Sequence, residues 1–178
     1  MVQIGVLTTY DPVPLDVEEK AKRLGMALAA RGAILITGGN GGLMTLVAEA
    51  ARKAGGLTVG ILAIELEDIG PGHHWFNPYN TIKIKTGQTF TSRSSIVVRS
   101  SDAVIVVAGG VGTLTEVSIA YNLKKPIVVL KGSGMMADKL PLMFPDGYID
   151  HRHLVKLHFI ENPEEAAELA INLAKKAV

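Results

Sequence analysis

The sequence predicts an α/β protein with three layers: an open, mostly parallel β-sheet with helices on both faces. The first observation is an alternation of short Val- and Ile-rich runs with longer segments of helical periodicity. The second is a pair of glycine-rich turns, each of which follows an apolar run and precedes a helical pattern. Because strands separated by helices pair in parallel through right-handed crossovers, this order predicts a parallel sheet.

The composition indicates one domain, residues 1–178, with an aliphatic core. The 178 residues are 48% hydrophobic and only 5% aromatic, which suits a core of Ala, Val, Ile and Leu. The formal net charge is +1, so no overall field favours nucleic acid or an anionic membrane. The chain has no cysteine, which excludes disulfides, thiolate metal ligands and a cysteine nucleophile.

No membrane segment is predicted. No apolar run approaches the roughly 20 residues that a spanning helix needs. Residues 1–9 enter a strand without a basic leader, which is unlike a signal peptide. We therefore expect a cytoplasmic protein.

The apolar runs predict the strands of the sheet. These runs lie at residues 2–7, 33–37, 57–62, 82–85, 103–107, 127–130 and 155–160. The run at 82–85 is short and alternates apolar with basic residues, which indicates a strand near the edge of the sheet. A polar connection with Gly and Pro, residues 65–80, precedes it. No element is predicted between residues 131 and 154.

The helical patterns lie between these runs, at residues 16–31, 43–54, 91–100, 113–122 and 163–176. Asp16 with Glu19 predicts a capping box at the start of the first helix, and Gly32 predicts its end. Asn162 followed by Pro163 predicts an N-cap with proline in the first turn of the last helix.

The more informative glycine turn follows the strand at 103–107. It contains Gly109, Gly110, Val111, Gly112 and Thr113. Glycines at such a junction let the backbone approach a ligand closely and direct its N–H groups at an anion. Glu116 follows one helical turn later on the same face as Thr113. A phosphate loop next to a carboxylate can hold a nucleotide and act on it. Glycines needed only for a tight turn are the alternative.

The other glycine turn follows the strand at 33–37 and contains Gly38, Gly39, Asn40, Gly41 and Gly42. In an open α/β sheet, ligands bind outside the carboxyl ends of the strands, where the strand order reverses. Both glycine turns are expected at that edge, together with residues 8–11 and 131–134. Four loops on one edge make an accidental cluster of glycines less plausible than a binding site.

These turns resemble the motifs of the Lonely Guy (LOG) family, whose members were once mislabelled lysine decarboxylases. Residues 37–44 resemble its GGxxGLM element, and residues 108–116 resemble its PGGxGTxxE signature with Ala108 in place of Pro. Arg93 lies where the family has the Arg of an MHxRK element. The resemblance covers residues 2–130. The tail, including residues 147–150, is similar to short relatives of molybdenum-cofactor carrier proteins, and the wider Rossmann-like superfamily includes the DNA-processing DprA proteins.

The resemblance implies a Rossmann-like, nucleotide-binding fold. LOG enzymes hydrolyse the N-glycosidic bond of cytokinin nucleoside monophosphates and release the free base and ribose 5-phosphate. By this resemblance Glu116 is the catalytic carboxylate, Arg93 the catalytic arginine and residues 109–113 the phosphate loop. Residues 38–41 are also expected at the ligand, from their place at the carboxyl edge of the sheet. A carboxylate can stabilise the positive charge that develops on the ribose, and an arginine can hold the phosphate. No cofactor is required beyond a bound nucleotide or phosphate.

The sequence departs from the LOG motifs at several positions. Ser94 replaces the Lys that follows the Arg, and Ser92 and Thr91 replace the preceding His and Met. The first strand ends in Thr-Thr-Tyr, residues 8–10, rather than Gly-Ser-Ser. The fold and the phosphate loop are therefore expected to carry over more directly than the substrate.

Two functions of different classes follow. The first is a phosphoribohydrolase that cleaves a nucleoside 5′-monophosphate. The alternative is a non-catalytic carrier or sensor of a phosphate-bearing cofactor, such as the pterin of molybdenum enzymes. Glu116 separates the two, because an anion carrier has little use for a carboxylate beside its phosphate loop. Single-stranded DNA is a less favoured partner, because few aromatic residues accompany the basic ones. These basic residues are Lys83, Lys85, Arg93 and Arg99.

Other candidate sites are weaker. The run His73-His74-Trp75-Phe76 either stacks on a purine or packs locally or at a subunit contact, and packing is favoured. Residues 151–153 lack a carboxylate at metal-ligand spacing, so no metal is expected. Neither glycine turn matches the dinucleotide fingerprint or a P-loop, which disfavours hydride transfer and ATP hydrolysis.

A homodimer or homotetramer is also expected. The helix at 91–100 contains Ile96, Val97 and Val98 in succession, a wider apolar face than one buried stripe requires. We expect Ile96 and Val97 to face inward and Arg93 and Arg99 to be available for other contacts. Together with the family resemblance, this predicts a two-fold interface at this helix.

Overall fold

The computed structural model describes residues 1–177, and its strands form a seven-stranded sheet in which all neighbours are parallel. The strands are β1 (Gln3–Leu7), β2 (Ile34–Thr37), β3 (Thr58–Leu62), β4 (Ile82–Lys85), β5 (Ala103–Val106), β6 (Ile127–Leu130) and β7 (Leu157–Ile160). Their spatial order is β4-β3-β2-β1-β5-β6-β7. The order reverses between β1 and β5, which creates a crevice at the carboxyl ends of these strands.

The helices of the described chain cover both faces of this sheet. They are α1 (Leu15–Ala30), α2 (Leu43–Lys53), α3 (Phe90–Arg99), α4 (Val111–Asn122), α5 (Met135–Met143) and α6 (Pro163–Lys176). Helices α1, α2 and α6 pack over one hydrophobic cluster, and α3, α4 and α5 pack over the other. The predicted three-layer α/β class is confirmed.

Alternate residues of a strand point to opposite faces, so each central strand supplies both clusters. In β5, Ala103 and Ile105 contribute to the cluster under α1, whereas Val104 and Val106 contribute to the cluster under α3. Such a strand is buried on both sides, which explains why its sequence is continuously apolar. Strand β4 is the edge strand that its alternating sequence predicted.

The predicted capping box at Asp16 is wrong. Helix α1 begins at Leu15, so Asp16 lies inside the first turn, and Pro14 occupies the N-cap without a side-chain hydrogen bond. The Pro14 carbonyl accepts from the N–H groups of Val17 and Glu18. Pro14 ends the preceding extended segment two residues earlier than a capping Asp16 would. At α6, in contrast, the Asn162 side chain accepts from the N–H groups of residues 164 and 165, as predicted.

Helix α5 was not predicted. Pro141 lies within it. The helix follows Gly134 and begins at Met135, and both of these residues have positive φ. A proline and a glycine-rich start are signals of a loop, and they hid the helix in the sequence. Its first turn is held by the rest of the protein, because the N–H groups of Met136 and Ala137 donate to the carbonyls of Gly109 and Ala108.

Candidate functional site

A cavity of about 370 Å³ lies at the carboxyl ends of the central strands, where the strand order reverses. Its walls come from the loop after β1, from the turn after β2 and from the first turns of α3 and α4. The lining includes Thr8, Tyr10, Gly38, Asn40, Met44, Phe90, Arg93, Ser94, Val111, Gly112, Thr113 and Glu116. The structure thus brings together both predicted catalytic residues and parts of both glycine turns.

The start of α4 forms one side of this cavity. Its hydrogen-bond ladder begins with the Leu114 N–H, which donates to the Gly110 carbonyl at 3.1 Å. The amides of residues 111–113 precede that ladder and lie at the positive end of the helix dipole. Because all three of these residues line the cavity, this helix start offers a place for an anion.

The glycines before α4 differ in their surroundings. Gly109 has a φ of 86°, and a Cβ there would collide with the side chain of Thr113, so only glycine fits. Gly110 and Gly112 have open space where a Cβ would be. Gly112 lines the cavity, whereas Gly109 and Gly110 lie just before the lining residues. Gly109 is thus explained by the turn itself, while Gly110 and Gly112 leave space for a neighbouring molecule.

Ala108 begins this turn in a conformation that proline cannot adopt. Its φ is 51°, whereas the proline ring fixes φ near −65°. Its N–H donates to the Ser133 hydroxyl at 2.9 Å, and proline has no N–H. The backbone conformation at position 108 is therefore incompatible with the Pro that begins the PGGxGTxxE signature, and Ala108 fits it.

The turn after β2 contributes Gly38 and Asn40 to the cavity lining, but not Gly39 or Gly41. A Cβ at Gly39 would collide with Leu62, and one at Gly41 would collide with the carbonyl of His74. The amides of Gly39 and Gly41 donate to the side chains of Thr37, at 3.0 Å, and Asn40, at 2.7 Å. Close packing explains these two glycines, as the packing alternative for a glycine turn anticipates.

Arg93 is buried, with only 6% of its surface exposed, although no pattern in the sequence indicates this burial. Its guanidinium lies directly over Gly38 and 5.7 Å from the centre of the Phe90 ring. Burial lowers the pKa of Arg93 from its ordinary value, and the nearby Glu116 and Glu65 oppose this shift. An arginine held in such a place is a strong partner for a phosphate or a carboxylate.

Glu116 is also buried, with 8% of its surface exposed. Burial raises the pKa of its carboxyl from 4.5 to about 7, while the charge of Arg93 and a hydrogen bond from Ser94 act in the opposite direction. The Ser94 hydroxyl lies 3.1 Å from Oε1. The ion pairs of the described chain do not include Arg93 with Glu116, although both line the cavity. Arg93 and Glu116 therefore line the same cavity without forming a direct ion pair.

Aromatic residues form the wall on the side of the β1 loop, and the sequence motifs did not reveal them. Tyr10 and Phe90 line the cavity, and Trp75 packs edge-on against both rings, with centroids 5.7 Å apart in each pair. Trp75 itself does not line the cavity. His73 and His74 are exposed and stack on each other. In this structure, Trp75 supports the cavity wall from behind, which agrees with the packing interpretation of residues 73–76.

The remaining predicted positions lie away from the cavity. His153 stacks on Tyr148, and Arg152 pairs with Asp150. In α3, Val97 and Val98 are buried in the protein's own core, and Ile96 is half-buried against it. The apolar width of this helix is thus largely accounted for within one chain.

Across residues 1–177, the helices are too short or too polar to span a membrane.

The fold and the cavity together define a Rossmann-like protein in which a helix start, a buried carboxylate and a buried arginine line one cavity. Comparison with known proteins then gives the family. The model of the SLOG cluster4 family matches residues 1–167, and the chain belongs to this family. The LOG-like resemblance of the two glycine turns is thereby confirmed.

Individual relatives agree with this assignment. A cytokinin riboside 5′-monophosphate phosphoribohydrolase of Mycobacterium tuberculosis is 30% identical over 92% of this chain and 90% of its own. The X-ray structure of TM1055 has a TM-score of 0.86 at 33% identity, covering 97% of this chain and 99% of that one. The molybdenum cofactor carrier protein of Chlamydomonas reinhardtii has a TM-score of 0.77 at 28% identity, over 98% of both chains.

DNA processing protein A from Helicobacter pylori shares the fold alone. It has a TM-score of 0.64 at 16% identity, over 96% of this chain and 80% of that one. The comparisons therefore include both a named hydrolase and a named cofactor carrier at similar identity, and the residues of the cavity must decide between them.

Proposed function

We propose that this protein is a phosphoribohydrolase that cleaves the N-glycosidic bond of a nucleoside 5′-monophosphate. The observation that carries the proposal is the position of Glu116. Its buried carboxyl lies on the helix whose first amides face the cavity, about one helical turn, or ~5.4 Å, beyond them. Glu116 adds a group that can take up a proton within reach of the anion site, which a simple carrier does not need.

The phosphate of the substrate binds the amides of residues 111–113, with the guanidinium of Arg93 as the charged partner. The ribose then extends along the first turn of α4 towards Glu116, and the base lies against Tyr10 and Phe90. This placement uses each part of the cavity for the chemistry it suits: N–H donors for the anion, and aromatic rings for a flat heterocycle.

Hydrolysis follows from this placement. The bond between C1′ and the base nitrogen breaks, and its electron pair leaves with the base, which takes up a proton from solvent. A water oxygen forms the new bond to C1′, and Glu116 accepts the proton that this water releases. The ionised carboxylate also stabilises the positive charge that develops on the ribose. Since Glu116 must be ionised for both roles, activity should rise with pH through about 7.

The alternative is a carrier or sensor of a phosphate-bearing cofactor. Its support is the similarity, along nearly the whole chain, to a molybdenum cofactor carrier protein. A carrier would use the same helix start and Arg93 but would release no base. In either case the ligand is a small phosphate-bearing molecule.

We also propose a homodimer or homotetramer, for which light scattering at micromolar concentration should give at least twice the 18.9 kDa chain mass.

The test is release of free base from AMP and N6-substituted AMP. Glu116→Gln should lower turnover by roughly 10²–10⁴-fold with little change in binding, because a general base is needed only in the transition state. Arg93→Ala should weaken binding and turnover together. Arg99→Ala, an exposed arginine of the same helix, and Glu165→Gln, an exposed glutamate of α6, are the matched controls.

Two results would overturn the proposal. Absence of base release by the wild-type protein across a panel of nucleotides, with binding retained, would establish the carrier alternative. Undiminished release by Glu116→Gln would show that the carboxylate does not act in the reaction.

A further inference from the structure

We propose that Ser94 is a positioning residue whose hydroxyl keeps a hydrogen bond to Glu116 in both protonation states of the carboxyl group. It donates to Glu116 when the carboxylate is ionised, and it accepts from Glu116 when the carboxyl is protonated. The catalytic meaning of this inference rests on the proposed function, whereas the hydrogen-bond switch itself is a property of the ligand-free protein.

The geometry places the Ser94 hydroxyl between two acceptors. Its oxygen lies 3.1 Å from Oε1 of Glu116 and 3.3 Å from the backbone carbonyl of Phe90, one turn earlier in α3. A serine hydroxyl has one hydrogen to donate and lone pairs with which to accept. It can therefore donate to only one of these two oxygens at a time.

The protonation state of Glu116 decides which acceptor is used. An ionised buried carboxylate needs a donor, and Ser94 is the side chain whose hydroxyl lies within hydrogen-bond distance of it. If a proton resides on Oε1, that oxygen becomes the donor, and Ser94 accepts it while its own hydrogen turns to the Phe90 carbonyl. Both states are hydrogen-bonded with the heavy atoms unmoved, so only the hydroxyl rotates.

The charged and titratable groups around this pair are few. Arg93 approaches from α3 and favours the ionised carboxylate, Glu65 acts on Arg93 from the segment after β3, and Tyr10 borders the cavity from the loop after β1. Among the hydrogen bonds of residues 1–177, the one to Oε1 of Glu116 comes from Ser94 and not from any of these groups. In the proposed hydrolysis, Glu116 can thus take the proton of the attacking water and return it to solvent without a rearrangement of the cavity.

The experiment is a titration of the ligand-free protein, observed by NMR of the Glu side-chain carboxyl carbons, with Glu116→Gln identifying the resonance. Ser94→Ala should raise the midpoint of Glu116 by about one pH unit, because hydrogen bonds to charged groups are stronger than neutral ones. Ser94→Thr, which keeps a hydroxyl, should restore the wild-type midpoint. Ser95→Ala is the matched control, since the Ser95 hydroxyl donates to the Ser92 carbonyl, at 3.0 Å, within α3.

The wild-type protein supplies an independent measurement that needs no variant. The Cβ resonance of Ser94 should titrate with the same midpoint as the Glu116 carboxyl, whereas that of Ser95 should not. An unchanged Glu116 midpoint in Ser94→Ala, or a Ser94 resonance that does not titrate with Glu116, would overturn the inference. Because these readouts need no substrate, they stand apart from a failure to observe base release, which would count against the proposed hydrolase alone.

Discussion

The guanidinium of Arg93 fills the space beside Gly38 in which the Cβ of any other residue at position 38 would lie. The two residues are 55 positions apart in the sequence and come from the turn after β2 and from α3. Gly38 has no positive φ, so its backbone does not require glycine. The space occupied by Arg93 is what requires it.

Replacement of Gly38 by Ala should therefore act through Arg93. The new Cβ would displace the guanidinium while leaving the backbone in place, and AMP binding should weaken by roughly 10–100-fold, the value of a charge-assisted hydrogen bond. Calorimetry would measure the affinity, and circular dichroism would verify the fold. Gly70→Ala, at an exposed glycine without neighbours within 4 Å, is the control. If Gly38→Ala binds AMP with the wild-type affinity, Arg93 does not contribute to binding of the ligand.

Gly110→Val tests the helix start directly. A Cβ at Gly110 meets nothing within 4 Å, so valine should be accommodated by the fold. Its branched side chain would occupy the space beside the amides of residues 111–113 and should block approach of the phosphate. We expect AMP affinity to fall at least tenfold, a loss of about 1.4 kcal/mol. Unchanged affinity in a folded variant would place the anion elsewhere.

Ala108→Pro tests the conformation of the loop. Proline cannot adopt the φ of 51°, and it removes the donor to Ser133, so the free energy of unfolding should fall by about 3 kcal/mol or more. Urea unfolding would measure this loss. Ala108→Gly tolerates the same φ and should remain within about 1 kcal/mol of the wild type. A stable, fully folded proline variant would contradict the loop geometry described here.

The stability of the protein should depend on pH through Glu116. The folded state raises its pKa from 4.5 to about 7, so between these values the folded protein holds more protons than the unfolded chain. Its stabilising contribution is therefore complete below about pH 4.5 and is lost as the pH rises through about 7. Glu116→Gln cannot ionise. Relative to the wild type, it should gain up to about 3 kcal/mol between pH 5 and pH 8 in urea unfolding. An equal pH dependence in both proteins would contradict the raised pKa.

Much of the fold could be predicted from local sequence signals. Continuous apolar runs predicted the buried parallel strands, and the alternation at Ile82–Lys85 predicted an edge strand. Helix α5 was missed because Pro141 and the preceding Gly134 are loop signals in the sequence, and long-range hydrogen bonds to the glycine turn override them. The capping box at Asp16 is wrong because the N-cap is Pro14, two residues earlier.

The site was predictable only where a motif described it. The glycine turns placed Gly38, Asn40 and the start of α4 correctly at the strand edge, and Arg93 and Glu116 meet in one cavity. Some glycines make room for protein atoms, and others leave space for a ligand. The difference depends on residues distant in sequence, such as Leu62 beside Gly39. The burial of Arg93 and the support of Tyr10 by Trp75 likewise arise only from tertiary packing.

The hydrogen bonds from the first turn of α5 to the carbonyls of Ala108 and Gly109 have a consequence for affinity. They immobilise the glycine turn during folding, so its conformational entropy is already lost before a ligand arrives. A nucleotide that binds such a rigid receptor gives up mainly its own freedom of motion, and more of each contact appears as net affinity. If the protein binds a nucleotide as proposed, helix α5, which lies outside the cavity lining, contributes to recognition through preorganisation rather than through contact.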